Sequence, residues 1–590
     1  MKKLLSGNEA VALGAYDFGV RVASAYPGTP STEILENLAR YEGVYAEWAP
    51  NEKVALDVAI GAAYTGARAL AAMKHVGLNV AADSLFYSAY TGVCGGLVIV
   101  TADDPALHSS QNEQDNRHYA RFARVPMLEP SDSQEAHDFV GLALEMSERF
   151  ECPVLLRITT RIAHSKTLVD TNAPARRDGA APTFGHIVKD PSRFVMVPAN
   201  ARRRHPVVEE RIRQLAEYAE TCPANVMHRG HSELGIITSG IACQYAREVF
   251  PEASFLKLGM TYPLPRRMIL DFAASVDRVI VVEELDPFLE EQVRLLGVEA
   301  DGKSLVSNIG ELSVDALREA ARRAGLPLGE AGVTPDAGEP PTVLLEIDLP
   351  NRPPALCPGC GHRGVFYILS KLKLAVAGDI GCYSLGVAPP LSAMHTLGCM
   401  GAGVGVLHGA LKAGAPERAV AVIGDSTFFH SGIAPLINIV YNRSAGVTII
   451  LDNHTTAMTG HQPHPGTGNT LQGELSAAVS TEGLVRALGV RHVAKVDPYD
   501  LRATEKAIKD ALAAGEPAVV IAERPCLLLE RRKGKALSID SQRCNACGLC
   551  QRLGCPAISK NGQWMHIDEI LCSGCGLCSQ VCARKAVVSQ

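Results

Sequence analysis

The chain has no long apolar run. No stretch approaches the roughly 18 uninterrupted apolar residues of a membrane-spanning helix, so no membrane partner is expected. It has no excess of positive charge either: 57 Lys and Arg stand against 63 Asp and Glu, a formal net charge of -6, which gives no electrostatic case for nucleic acid. The opening residues Met1 to Glu9 hold two lysines but no apolar core of leader-peptide length, because Asn8 and Glu9 interrupt it, and a cytoplasmic protein is expected. Low-complexity segments are missing, and repetition is confined to the C-terminal tail.

What the chain does have is length and cysteine. Its 590 residues exceed what one hydrophobic core serves, and the usual domain size implies about three to five units. The seventeen cysteines cluster at C-x-x-C spacings in a long chain, which favours metal or cluster ligation over a disulfide framework.

From Leu4 to about Val169, apolar runs such as Gly96 to Val100 and Val154 to Ile158 alternate with Ala-rich helical stretches such as Val54 to Ala72. That alternation argues for a parallel α/β sheet. Residues 171–234 are Pro- and Arg-rich, with Arg202-Arg203-Arg204 among them, and read as a solvated connector. A second α/β pattern covers 235–345 and fades into a Pro/Gly-rich linker, Gly325 to Pro341. A third covers 346–534, and a cysteine-dense module covers 535–590. The expected fold class is α/β: three open parallel-sheet domains, then a small α+β tail.

The tail carries the strongest signal. Cys544-x2-Cys547-x2-Cys550-x4-Cys555 is followed by Cys572-x2-Cys575-x2-Cys578-x3-Cys582. This spacing lets three thiolates of each run ring one cubane while the fourth reaches across to the other. Cys544, Cys547, Cys550 and Cys582 are therefore assigned to one 4Fe–4S centre, and Cys555, Cys572, Cys575 and Cys578 to a second. Structural zinc also takes C-x2-C pairs, but rarely as a repeated triple. The pattern resembles a bacterial two-cluster ferredoxin, with an extra residue before Cys555 and Ala583 in place of the usual proline. Two clusters imply electron transfer.

In the third segment, Ala419 to Ser426 reads as a strand ending in a turn, Gly432 to Tyr441 as a helix and Val447 to Asn453 as a second strand. In one βαβ unit, Asp425 and Asn453 emerge together at the carboxyl edge of parallel strands, where open sheets bind ligands. Two hard oxygen donors, a backbone carbonyl and phosphate oxygens suit octahedral Mg²⁺. A capping Asp at a strand-end turn is the competing reading. Gly401-x-Gly403-x-Gly405 lacks the rest of a nicotinamide fingerprint and is not read as one.

The string Gly424-Asp425-Ser426 with Asn453-His454-Thr455 resembles the thiamine-diphosphate signature G-D-G…N, with Ser426 at the second glycine. Cys357-Pro358-Gly359-Cys360-Gly361-His362, Gly378-Asp379-Ile380-Gly381-Cys382 and Cys526 resemble motifs of the thiamine-diphosphate-dependent 2-oxoacid:ferredoxin oxidoreductases. Taken alone, Cys357 and Cys360 also suit a turn or zinc knuckle, and Cys382 and Cys526 core packing. By the resemblance, Cys357, Cys360, Cys382 and Cys526 hold a third 4Fe–4S cluster, and Asp425, Asn453 and the Thr455 carbonyl hold Mg²⁺. It further places Gly361, His362, Ile380, Gly381, Cys382, Tyr383 and His395 around the cofactor. Gly424, Ser426, Thr427 and Ala457 complete that set. The five remaining cysteines, Cys94, Cys152, Cys222, Cys243 and Cys399, are expected to be core thiols.

Thiamine becomes a nucleophile when a water-shielded carboxylic acid drives its aminopyrimidine to the imino form. Glu52 opens an Ala-rich helix, a position that equally suits a helix N-terminal charge. The Tyr26-Pro27-Gly28-Thr29-Pro30-Ser31 turn resembles the opening of the family's pyrimidine-binding domain. That resemblance implies the activating role for Glu52, with Glu47 a competitor, and substrate contact for Thr29.

The resulting order is pyrimidine domain (1–170), connector, transketolase C-terminal-like domain (235–345), diphosphate domain (346–534) and ferredoxin-like domain (535–590). It resembles the large subunits of the indolepyruvate branch of the family. That implies an arylpyruvate substrate, with another 2-oxoacid or a non-catalytic electron-transfer scaffold as the alternatives, and coenzyme A, ferredoxin as acceptor, and a smaller beta subunit with the coenzyme A-handling domain in an α2β2 assembly. Met458 stands where the pyruvate members have a polar amide, implying a less polar pocket.

Overall fold

The computed structural model describes residues 2–171, 189–326, 328, 354–414, 418–530 and 534–589. They fall into two units, Met1–Glu346 and Ile347–Gln590. Among the described residues no helix is long and apolar enough to cross a membrane.

In the first unit, strands Leu97–Asp103 and Val154–Thr159 are buried along their whole length, which is why they read as continuous apolar runs. They lie within a seven-stranded sheet ordered Met260–Tyr262, Met127–Leu128, Val154–Thr159, Leu97–Asp103, Ala69–Lys74, Val22–Ala25, Tyr45–Trp48. Every neighbouring pair is parallel except the first. A five-stranded sheet follows, ordered Ala300–Asp301, Val279–Val282, His231–Thr238, Ala253–Leu258, Asn225–His228, with only the last strand antiparallel. Two boundaries differ from the sequence expectation. Asn225–His228 belongs to this sheet although it lies in the connector, and Met260–Tyr262, from the second segment, completes the first sheet. Strands this short carry too little periodicity to be assigned from sequence.

The connector is also more than a solvated link. Its helix Pro198–Ala219 buries Val208, Leu215 and Ala219. Arg211 donates to the Ala89 carbonyl at 2.7 Å, Arg204 to that of Tyr90 at 2.8 Å, and Arg193 to those of Thr91 at 3.1 Å and Val93 at 2.7 Å. The carbonyls of Ala89, Tyr90 and Thr91 end the helix Ala82–Thr91, where backbone acceptors lack intrahelical partners and carry partial negative charge, and Val93 follows just beyond. The arginines answer both needs, while Arg202 and Arg203 stay exposed. Connector residues 172–188 and most of the Gly325 to Pro341 linker lie outside the described residues.

A buried ionic network joins the two sheets of this unit. Arg117 donates to Asp115 at 2.5 Å and to Glu283 at 2.6 Å, and Arg157 donates to Asp103 at 2.6 Å and Glu129 at 2.8 Å. With Glu284, five buried carboxyls face two guanidiniums. Burial opposes ionisation of Asp115, but the charges of Arg117 and Arg157 overcome it and hold Asp115 below the usual carboxylate range. Burial instead pushes Asp103 up to about 6 and Glu284 up to about 7.

The second unit is built on six parallel strands ordered Thr396–Leu397, Ala375–Gly378, Ala419–Gly424, Val447–Asp452, Ala518–Glu523, His492–Val496. Gly424 pairs with Leu451, and Asp452 with Glu523, so three adjacent strands end at one margin. The tail forms two antiparallel ribbons, Leu537–Ile539 with Val587–Ser589 and Ile558–Asn561 with Trp564–Ile567. Each half adds one short helix, Leu549–Leu553 and Leu577–Val581, so the repeat in cysteine spacing is also a repeat in structure. Leu553, Met565, Ile567 and Leu577 pack in one core with Leu356, Val365, Phe366 and Leu369 of the preceding segment. Arg363, buried in that core, donates to the Leu553 carbonyl at 2.8 Å.

A raised folded-state carboxyl contributes stability that is complete below its unfolded value and lost as pH rises through the folded value. Thermal stability of the first unit is therefore expected to fall as pH rises from about 4 through about 7, with Glu284 and Asp103 acting in the same direction. Glu284→Gln should flatten that fall in anaerobic thermal unfolding; an unchanged slope would show that the titration lies elsewhere.

Candidate functional site

Strand Ala419–Gly424 runs directly into a helical stretch that begins at Asp425, where a carboxylate is favoured. Asp425 Oδ1 accepts from the Ser426 N–H at 2.8 Å; Oδ2 accepts from the Asn453 N–H at 3.2 Å and from His464 Nε2 at 3.1 Å. His464 Nδ1 accepts from the Gly466 N–H at 3.1 Å, so its proton sits on Nε2. Burial opposes ionisation of Asp425, but His464 and the Ser426 N–H outweigh it and hold the carboxyl below its usual range. Burial and the Asp425 charge push neighbouring Asp452 up to about 6. An ionised buried carboxylate beside an amide at adjacent strand ends fits a small, hard cation.

Around this pair the structure gathers most of the expected residues. Tyr383 donates to the Ile380 carbonyl at 2.7 Å and its hydroxyl lies 3.2 Å from Thr427 Oγ1, and Thr456 donates to Ser426 Oγ at 2.9 Å. The Tyr383 ring lies so close that a Cβ on Gly381 or Gly424 would come within 2.3 Å or 2.6 Å of it. His362, next to Gly361, stands edge-on to Tyr383 with centroids 6.0 Å apart, and burial pulls it down to about 4, which keeps it neutral. Thr455 is buried, with its N–H donating to Asn453 Oδ1 at 3.3 Å, and Ala457 lies in the turn closed by the Thr456–Gln462 bridge. His395 stands apart from this group. It is exposed beside the edge strand, and its Nδ1 accepts from the Val376 N–H at 3.1 Å, near the amino end of strand Ala375–Gly378.

The next strand brings in sulfur. The Cys526 N–H donates to the Asn453 carbonyl at 3.0 Å, which ties this thiol to the same margin. Burial pushes Cys360 up to about 12 and Cys382 up to about 11, and each of the two also feels neighbouring thiols: Cys360 those of Cys357 and Cys382, Cys382 those of Cys526 and Cys357. The four thus lie near one another, and all seventeen cysteines are free thiols. In the tail, burial raises Cys550, with Cys582, Cys544 and Cys547 its thiol neighbours. Burial likewise raises Cys575, whose neighbours are Cys555 and Cys572. These neighbours are the partners that the crossed grouping pairs, and Cys578 also has Cys550 nearby. Backbone N–H groups point at the sulfurs: Met565 to Cys544 at 3.3 Å, Leu537 to Cys572 at 3.4 Å and Ala586 to Cys582 at 3.2 Å. Converging thiols with such donors suit a cationic iron–sulfur core, which offsets what burial costs a thiolate.

The sets are ordered in space. Gly359, between Cys357 and Cys360, has φ +75° and abuts Ser573 so closely that a Cβ would overlap its hydroxyl. Tyr499 donates to the Gly359 carbonyl, and its phenol is near both Cys360 and Cys575. The Cys555/Cys572/Cys575/Cys578 set therefore lies against the Cys357 loop, and Cys547 of the other set is exposed.

In the first unit Glu52 opens helix Glu52–Tyr64, capped by Asn51, which accepts from the Val54 N–H at 2.9 Å. Its carboxyl is buried against Gly77, where a Cβ would come 2.7 Å from Oε1. Glu47 is half-buried and held by Ser24 at 3.0 Å and Tyr45 at 2.7 Å, so Glu52 is the enclosed acid. Thr29 is half-buried, its carbonyl 3.4 Å from Ser109 Oγ.

Three residues escaped sequence reasoning. His464 has no spacing rule to mark it. Asp379 binds the N–H groups of Ile380 at 2.8 Å, Gly401 at 3.0 Å and Gly403 at 3.1 Å, which explains the glycine run that resembled a nucleotide loop. Tyr499 shows its role only through its contacts. Among the leftover cysteines, Cys152, Cys222 and Cys243 are buried as expected, but Cys94 and Cys399 sit in loops and are exposed, contrary to the expectation.

Residues 13–220 match the family "Pyruvate flavodoxin/ferredoxin oxidoreductase, thiamine diP-bdg", and residues 379–522 match "Thiamine pyrophosphate enzyme, C-terminal TPP binding domain". Fold and site thus define a thiamine-diphosphate-binding oxidoreductase chain of the 2-oxoacid:ferredoxin class. The chain is 44% identical to indolepyruvate oxidoreductase subunit IorA of Methanothermobacter thermautotrophicus, over 95% of this chain and 93% of that one. It is 41% identical to the protein of that name from Archaeoglobus fulgidus, over 99% and 97%, and 41% identical to that from Thermococcus kodakarensis, over 94% and 92%. The chain belongs to the indolepyruvate oxidoreductase subunit IorA family.

In the folded protein, iodoacetamide should label Cys94 and Cys399, while Cys152 and Cys243, which burial raises to about 11, should react only after unfolding. Peptide mass mapping reads this directly; early labelling of Cys152 would contradict the placement.

Proposed function

We propose that the chain is the catalytic large subunit of an enzyme that converts an arylpyruvate, indolepyruvate foremost, and coenzyme A to the aryl-acetyl-CoA and CO2. Two electrons leave to two ferredoxins. The observation that carries this reading is the single margin bearing Asp425, Asn453 and the Cys526 thiol. A smaller beta subunit would supply the coenzyme A-handling domain in an α2β2 assembly.

When bound, thiamine diphosphate supplies the carbon nucleophile and electron sink for the decarboxylation. Asp425, Asn453 and the Thr455 carbonyl would hold its Mg²⁺, and His464 holds the Asp425 carboxylate in place. Glu52 would hold the proton at the aminopyrimidine nitrogen, and Thr29 would touch the substrate carboxylate. The three thiol sets would hold three 4Fe–4S clusters, with the Cys555 set between the Cys357 set and the Cys544 set, of which Cys547 is exposed. The tail is read as a ferredoxin-like domain and the second sheet as a transketolase C-terminal-like one. Met458, half exposed, is read as part of a less polar pocket.

Anaerobic analysis of the purified complex should give about twelve irons per large subunit from three cubanes, with thiamine present; about eight would remove the Cys357 centre. Glu52→Gln should lower indolepyruvate-driven ferredoxin reduction by about 10²- to 10⁴-fold at unchanged iron content. Full activity in that variant would refute the assignment, and indolepyruvate ranking last among 2-oxoacids would refute the substrate. His464→Phe should weaken Mg²⁺-dependent thiamine diphosphate binding by about 10- to 100-fold, as loss of a ligand-orienting partner does.

A further inference from the structure

Lys74 ends strand Ala69–Lys74 at the carboxyl margin of the first sheet, between strands Val22–Ala25 and Leu97–Asp103. The first of these leads to Thr29 and the second to Asp104. The lysine stem lies against Gly28, where a Cβ would come 3.1 Å from Lys74 Cβ. Its Nζ donates to the Ser109 carbonyl at 2.7 Å and approaches Ser109 Oγ at 3.4 Å; that hydroxyl reaches the Thr29 carbonyl, also at 3.4 Å. Three residues further on, Gly77 abuts the Glu52 carboxyl. One sheet margin therefore carries an ammonium, the Thr29 turn and the enclosed acid.

The ammonium is poorly served there. It has three donors and one good acceptor, and the neighbouring anion, Asp104, is taken up by the Ser109 N–H at 2.8 Å, Ser110 Oγ at 2.6 Å and Thr160 Oγ1 at 2.7 Å. Burial holds Lys74 down to about 8 despite Asp104. A desolvated cation without a close counter-ion is costly, and a carboxylate ligand relieves that cost through charge-assisted hydrogen bonds. We propose that Lys74 is the cationic anchor for the carboxylate of the 2-oxoacid, binding it beside Thr29 at the margin that also carries Glu52. The assignment rests on the reading of the chain as a 2-oxoacid oxidoreductase.

The ionisable groups facing Lys74 are Asp104 after its neighbouring strand, His75 on the following helix and Glu52 beyond it. Asp104, although burial opposes its charge, is held below the usual range by its hydroxyl and N–H donors, and burial pulls His75 down. Neither changes charge as Lys74 titrates. Affinity for a carboxylate should then be flat below pH about 8 and fall above it.

The test uses the holoenzyme with its partner subunit. Lys74→Met should raise KM for indolepyruvate by about 10- to 100-fold, the loss of a charged hydrogen bond, and Lys74→Arg should recover most of it. Indolelactate, which cannot decarboxylate, should bind more weakly by the same factor in equilibrium dialysis, while the neutral alcohol tryptophol should bind unchanged. Unaltered KM in Lys74→Met, in a preparation whose wild type oxidises indolepyruvate, overturns the Lys74 assignment and leaves the enzyme's function standing. A wild type inactive with every 2-oxoacid yet binding indolelactate through Lys74 overturns the function and keeps the anion site. Should Lys74→Met lose thiamine or iron, wild-type indolelactate binding decides: no weakening above pH about 8 overturns the assignment.

Discussion

The second unit depends on one constraint: three adjacent parallel strands, Ala419–Gly424, Val447–Asp452 and Ala518–Glu523, end at the same margin in fixed register. Parallel pairing sends all three chains out on one side, and the backbone then couples them. The Asn453 N–H reaches the Asp425 carboxylate, and the Cys526 N–H reaches the Asn453 carbonyl. Hard oxygen donors and a thiol are thereby held at one margin by the backbone, with His464 bracing the Asp425 carboxylate. A slip of one residue in any of these strands would turn its ligand away from the margin.

Electrostatics keep that margin occupied by charge. Asp425 stays ionised in a buried place because His464 and the Ser426 N–H face it, while Asp452 beside it is pushed up to about 6. The first unit handles buried charge differently. There Arg117 and Arg157 are shared among more carboxyls than they can neutralise, and Glu284 and Asp103 absorb the imbalance by holding protons more tightly. The connector arginines follow a third rule, donating to the last carbonyls of a helix.

Much of this was legible in the sequence, for identifiable reasons. The fully buried strands read as apolar runs, and the repeat in cysteine spacing reappears as a repeat of ribbon and short helix. Strand-end positions of Asp425 and Asn453 followed from a single βαβ pattern. What stayed hidden depends on contacts between distant residues. Strands Asn225–His228 and Met260–Tyr262 are too short to show a period, and each pairs where chain order does not lead. The arginine-rich connector looked like a solvated face because nothing in its own sequence marks the helix end it caps. His464, Lys74 and Asp379 are single residues whose meaning comes from what they touch, and exposed Cys94 and Cys399 lie in loops that composition alone does not distinguish from core.

The most direct test of the joined cofactor and thiol margin is anaerobic electron paramagnetic resonance of the purified complex mixed with indolepyruvate, without ferredoxin. Signals of reduced 4Fe–4S clusters should appear on substrate addition, and Asp425→Ala should abolish them while dithionite still produces them. Full thiamine content with no substrate-induced signal in the wild type, or an undiminished signal in Asp425→Ala, would contradict the account.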